Sequence, residues 1–255
     1  MSFDVTATSY RQFMGRFSEP LAVPFADIAG VRPAQRALDV GCGPGALTAE
    51  LVKRLGAGAV CAVEPSPSFV QAARQRFPGV DLRQGVAEAL PHDDHQFDVV
   101  LAQLVVHFMR DPVVGLQEMG RVARPGGTVA ACVWDHAGGE GPLASFWDGV
   151  RAVEAGHPGE GDLPGTRAGH LGELAHAAGL SDVQEGSIAV TVNFATFDEW
   201  WEPFTYGVGP AGAYVAGLDH THREALRTAC RRRLPDEPFE ITAKAWCVVA
   251  SASLA

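Results

Sequence analysis

The stretch Ala37-Leu38-Asp39-Val40-Gly41-Cys42-Gly43-Pro44-Gly45-Ala46-Leu47-Thr48-Ala49-Glu50-Leu51 constrains this chain more than any other. Ala37 to Val40 is a short apolar run broken by one acid, the pattern of a buried parallel strand. Three glycines at alternate positions follow at once. Leu47, Leu51, Val52 and Leu55 then recur at helical spacing, and Gly56 is a C-terminal stop. Strand, glycine turn and helix is how a doubly wound α/β fold brings its backbone against a nucleotide-like ligand. Glycine lacks the Cβ that would hold such a ligand off.

The acids around the turn narrow the ligand. Asp39 lies inside the strand, where a carboxylate needs a partner; an ammonium group or backbone N–H donors would serve. Pro44 has no N–H to give, so the turn is not a full anion nest for a pyrophosphate. Glu64 ends the next apolar run, Val60 to Val63, and can accept from both hydroxyls of a ribose. An amino acid joined to a ribose, with no phosphate, fits this set, and S-adenosylmethionine is such a ligand.

With those residues in view, the chain resembles the class I S-adenosylmethionine-dependent methyltransferases of the ubiquinone-biosynthesis-like group. The resemblance rests on Leu38-Asp39-Val40-Gly41-Cys42-Gly43-Pro44-Gly45, Ala62-Val63-Glu64-Pro65-Ser66, Ala87-Glu88-Ala89-Leu90-Pro91, Phe97-Asp98-Val99-Val100 and Arg121-Val122-Ala123-Arg124-Pro125-Gly126-Gly127. These blocks keep the family's order over residues 35–135. The resemblance implies an α/β fold, a seven-stranded Rossmann-like sheet with helices on both faces and a small cap, and a last strand running antiparallel. It also implies methyl transfer from S-adenosylmethionine. Asp39, Gly41, Gly43, Gly45, Glu64, Pro65 and Gln103 would form the donor site. Ala87 and Glu88 would meet the adenine, and Arg16, in a segment preceding the core, would reach the methionine carboxylate.

Composition bounds the rest. At 255 residues the chain suits a single α/β domain, and 47% hydrophobic residues supply its core. A net charge of −10 argues against wide electrostatic binding to nucleic acid or acidic membranes. The five cysteines form no Cys-x-x-Cys pair and sit mostly in apolar runs, so buried reduced thiols are expected. No apolar run reaches the roughly 20 residues of a membrane span, and the N-terminus does not read as a signal peptide. The expectation is a soluble cytoplasmic protein whose partner is a small molecule.

The expected organisation is one domain. An N-terminal lid (1–34, with Phe3, Tyr10, Phe13 and Phe17) precedes the binding core (35–135). Segments 136–165 and 195–235 are the cap, and 166–194 with 236–255 complete the sheet. Within the core, strands are predicted at 80–84, 97–102 and 128–134. Arg124-Pro125-Gly126-Gly127 is predicted as the tight turn into the last of these, and His92-Asp93-Asp94-His95-Gln96 as a solvated turn rather than a metal site. Beyond it, 183–194 and 241–251 read as strands, 155–169 as a Gly- and Pro-rich loop, and Thr221-His222-Arg223-Glu224 as a capping box opening a helix.

His107, just beyond the strand at 97–102, is the expected base, since an imidazole titrates near working pH. Tyr10, His136, Trp200, Trp201 and Phe204 are candidates for an apolar acceptor pocket, and no metal ligand set is expected. Two other readings stay open: a nicotinamide-dependent oxidoreductase, with Glu64 as its ribose acid, and an S-adenosylmethionine binder that transfers no methyl group.

Overall fold

The computed structural model describes residues 7–253, and Phe3 of the expected lid lies outside them. Seven strands form one sheet: β1 (Ala37–Val40), β2 (Val60–Glu64), β3 (Asp81–Gln84), β4 (Phe97–Gln103), β5 (Ala123–Trp134), β6 (Ser181–Phe194) and β7 (Phe239–Ser251). Their order is β3-β2-β1-β4-β5-β7-β6. The first five are parallel, and β7 runs antiparallel between β5 and β6. This is the expected seven-stranded sheet. The strand order reverses beside β1, so the carboxyl ends of β1 and β4 flank the crevice in which such sheets bind ligands.

Both faces of the sheet are apolar, as parallel strands covered on two sides require. Val99, Leu101, Ala130, Cys132 and Trp134 belong to one buried cluster, and Val100, Ala102, Val129, Ala131 and Val133 to the other. The second cluster is closed by Leu116 and Met119 of α5 (Pro112–Val122) and by Leu171 and Ala175 of α7 (His170–Ala177). The first is larger. It takes in α1 (Ala7–Tyr10), α2 (Arg16–Ile28), α3 (Ala46–Leu55), α6 (Ala144–Val153), α8 (Phe197–Trp201), α9 (Gly209–Ala216) and α10 (His220–Arg231). On the far side of β2, α4 (Pro67–Arg76) buries Val70 and Ala73.

Three local expectations change. Arg124 to Gly127 is not a free turn, because Phe97 pairs with Ala123 and Val99 with Thr128, so the four residues bulge within β5. The side chain of Arg124 ties that bulge to Asp98. The helix expected at Thr221 is capped instead by Asp219, whose carboxylate accepts from the His222 N–H at 2.9 Å. His92 is not solvated, since it is buried edge-on against Phe97 with ring centroids 5.0 Å apart. The residues 195–218, within the expected cap segment, form α8, a 3-10 turn and α9. All five cysteines are free and buried. Among the described residues no helix is long and apolar enough to cross a membrane.

Candidate active site

A cavity lined by Asp39, Gly43, Glu64 and Gln103 opens at the carboxyl ends of β1, β2 and β4. The three glycines of the turn after β1 do different work there. A Cβ on Gly41 would lie 2.6 Å from Val105, and one on Gly45 would run into the Phe77 ring. These two let neighbouring segments close up. A Cβ on Gly43 would meet nothing, so Gly43 is the position where bare backbone faces the cavity.

Two acids sit beside Gly43. Glu64, at the tip of β2, accepts from the Gly43 N–H at 2.8 Å and the Ser66 N–H at 2.9 Å. Burial raises its pKa, and those two bonds oppose the rise. Asp39 is 1% exposed and is held by the Thr48 hydroxyl at 2.6 Å, in the first turn of α3. The Thr48 N–H also reaches it, and no ammonium group partners it among the described residues. Burial is the main cause that pushes its pKa up to about 7. Gln103, at the end of β4, donates to the Ser18 carbonyl at 2.9 Å and leaves its Oε1 buried without a partner. Pro65 completes the rim.

The wall thus offers acceptor oxygens on Asp39, Glu64 and Gln103, and no lysine or arginine among its described residues. This set of acceptors fits the ammonium and ribose hydroxyls of S-adenosylmethionine and does not suit a phosphate.

A second cavity, of about 450 Å³, shares Tyr10, Leu104 and Phe108 with the first. Leu104 holds a left-handed φ of 63°, a strained conformation for a branched side chain and one that concentrates at functional sites. The Tyr10 phenol is pushed up to about 12 by burial and by the nearby Glu64 carboxylate. Tyr10 therefore lines both cavities rather than an acceptor pocket alone. His107 and His136 line the second cavity with ring centroids 6.0 Å apart. Burial and the neighbouring His136 hold His107 well below its usual range, and burial lowers His136 to about 4. Both rings are neutral near pH 7, which makes His107 a weaker proton acceptor than its unperturbed pKa implied.

Several expected residues lie elsewhere. Arg16 pairs with Glu199 at 2.5 Å and stands over the Phe194 ring, so its guanidinium is taken up between α2 and β6. Glu88 accepts from the Arg110 and Asp111 N–H groups at 2.7 and 3.4 Å, staking the loop after β4, while Ala87 is buried beside Gly115 of α5. Gly45 serves packing, as above. Trp200, Trp201 and Phe204 are core residues: Phe204 stacks on Phe146 at 4.4 Å and meets Phe13 edge-on, and neither tryptophan lines the second cavity. Val208 to Ala211 do so in their place.

Thr48, Ser18 and Glu160 are site residues that sequence reasoning missed. Thr48 carries a readable signal, because its place in the first turn of α3 puts it beside the β1 acid. Glu160, in the 155–169 loop, carries none.

Residues 38–131 match the family model described as "Methyltransferase domain". This core is a class I S-adenosylmethionine-dependent methyltransferase domain. The family's cofactor is S-adenosylmethionine, the ligand its acids and bare Gly43 backbone fit. An uncharacterised methyltransferase of Schizosaccharomyces pombe is 34% identical over 123 residues, 41% of this chain and 44% of that protein. A probable phthiotriol/phenolphthiotriol dimycocerosates methyltransferase of Mycobacterium ulcerans is 41% identical over 108 residues, 41% of this chain and 40% of that protein. The chain thus spans less than half the length of either relative. The fold extends further: a Haemonchus contortus phosphoethanolamine N-methyltransferase, solved with phosphomonomethylethanolamine and S-adenosylhomocysteine, superposes over 97% of this chain and 57% of its own. That TM-score is 0.61 at 16% identity.

Proposed function

We propose that the protein transfers the methyl group of S-adenosylmethionine to a small molecule with an apolar or aromatic body. The observation that carries this reading is the pair of adjoining cavities, one walled by acids and bare backbone, the other mostly apolar, meeting at Tyr10, Leu104 and Phe108. Asp39, Glu64, Gln103 and the Gly43 backbone would hold the cofactor. When bound, S-adenosylmethionine supplies a methyl group made electrophilic by its sulfonium.

The chain's own residues then align and exclude water, and alignment alone is worth up to about 7–11 kcal/mol in favourable cases. Leu104 and Phe108 give the shared wall an apolar surface that keeps solvent from the junction. His107 leaves its buried Nδ1 without a protein partner, which suits it to hold a polar group of the acceptor in place. Its depressed basicity favours this positioning role over proton abstraction. Segments 136–165 and 195–235 serve as the acceptor cap, acting in the cytoplasm, where the five thiols stay reduced.

Calorimetric titration with S-adenosylmethionine, S-adenosylhomocysteine and NADH tests the reading. Micromolar binding of the first two and none of the third is expected. Binding of NADH alone would establish the nicotinamide alternative.

A further inference from the structure

Glu160 is the one group in the second cavity that an apolar acceptor leaves unexplained. Its residue is 4% exposed, and its Oε2 accepts from the Trp147 indole N–H of α6 at 2.9 Å. Among the described residues no donor reaches its Oε1. The cavity's other polar side chains, Tyr10, His107 and His136, carry no charge near pH 7. No lysine or arginine is among the described residues that line it. Arg151, in the cleft outside, is paired with Asp148 at 2.6 Å.

Tying the 155–169 loop to Trp147 needs only a neutral acceptor, such as a glutamine. A carboxylate at the same place carries a desolvation cost that no protein cation offsets. Burial accordingly pushes the Glu160 pKa up to about 7 while the Trp147 bond opposes the rise, so at pH 8 the group is a carboxylate in want of a cation. A ligand cation would offset that cost. An anionic ligand, a phosphate or carboxylate, would meet repulsion in a space too apolar to screen it.

We infer that the methyl acceptor carries a basic amine on its apolar body and that Glu160 is the amine's counter-ion in the second cavity. This rests on reading that cavity as the acceptor site. His136 and Glu160 also line the outer cleft, so the amine end faces outward and the apolar body points toward Leu104 and Phe108.

A charge series of one shape tests this by calorimetry: 3-phenylpropylamine, 3-phenylpropan-1-ol and 3-phenylpropanoate, titrated into the full chain with and without S-adenosylhomocysteine. The ammonium probe is expected to bind at least tenfold tighter than the alcohol, and the carboxylate weakest. Glu160→Gln, which keeps an acceptor for Trp147, should erase that preference without lowering the melting temperature and with S-adenosylhomocysteine binding intact. Trp147→Phe should keep the preference, because it leaves the carboxylate in place. Equal affinities, a carboxylate preference, no ammonium binding, or selection that survives Glu160→Gln would overturn the inference. Failure of S-adenosylhomocysteine to bind would instead overturn the donor reading, and the amine selection is still read without it.

Discussion

Replacing Asp39 with asparagine should change the pH dependence of stability more than stability itself. Asp39 is buried, and its carboxyl moves from an ordinary 3.8 to about 7 on folding. A folded pKa above the unfolded one means that the folded state binds the extra proton. Stability is therefore lost as pH rises from about 4 to about 7, and the loss is complete above the folded pKa. At 1.36 kcal/mol per pKa unit the penalty is roughly 4 kcal/mol at pH 8 and near zero at pH 4. Asparagine has no proton to exchange and offers a carbonyl to the Thr48 hydroxyl. Its amide adds a cost that does not vary with pH, of about 1–3 kcal/mol if the N–H₂ finds no partner.

The quantity to measure is the difference between wild type and Asp39→Asn in unfolding free energy, from urea titrations at several pH values. That difference should move by about 4 kcal/mol in the variant's favour between pH 4 and pH 8, whatever its starting sign. Curves parallel within about 1 kcal/mol would refute the reasoning and imply that Asp39 is solvated or paired. The variant should at the same time bind S-adenosylmethionine more weakly, because it lacks the charge proposed to hold the ammonium.

The remaining expectations follow from the same geometry. Gly43→Ala should cost only the strain of φ +54°, about 1 kcal/mol, yet abolish S-adenosylhomocysteine binding. Gly45→Ala adds a clash with Phe77 to a φ of +91° and should unfold first in a thermal melt, by about 2 kcal/mol or more. Arg16→Ala should lower stability by about 1 kcal/mol through the lost Glu199 and Phe194 contacts, with cofactor affinity unchanged by calorimetry. In imidazole NMR spectra His107 and His136 should stay neutral down to pH 5.5. A titration near 6.5 in either ring would contradict their burial.

The fold was more legible than the site because it rests on periodicity. Val60 to Glu64 and Phe97 to Gln103 are buried along their whole length or nearly so, and such runs announce parallel strands without any knowledge of their neighbours. The bulge at Arg124–Gly127 escaped because Pro-Gly-Gly marks a change of direction, not whether pairing resumes beyond it. The protein partners of Arg16 and Glu88 were illegible for a related reason. An arginine or glutamate has the reach for a ligand or for the protein, and the nearer partner took each: Glu199 for the one, the Arg110 N–H for the other. The aromatics at 200–204 went to the core because Phe146 and Phe13 offered them a dry, stacked surface.

The sequence by itself determined the strand–glycine–helix unit, the two acids beside it, and so the chemistry of the donor pocket. Those depend on residues adjacent along the chain or on the next strand, where local geometry leaves little choice. Only the tertiary structure decided which glycine faces the ligand, that the Thr48 hydroxyl and N–H both reach Asp39, and that Glu160 shares a cavity with His107. Glu160 and His107 belong to segments far apart in the chain and meet only because α6 and its following loop pack over the sheet's carboxyl edge. No sequence pattern encodes that meeting, since packing complementarity across the whole core sets it.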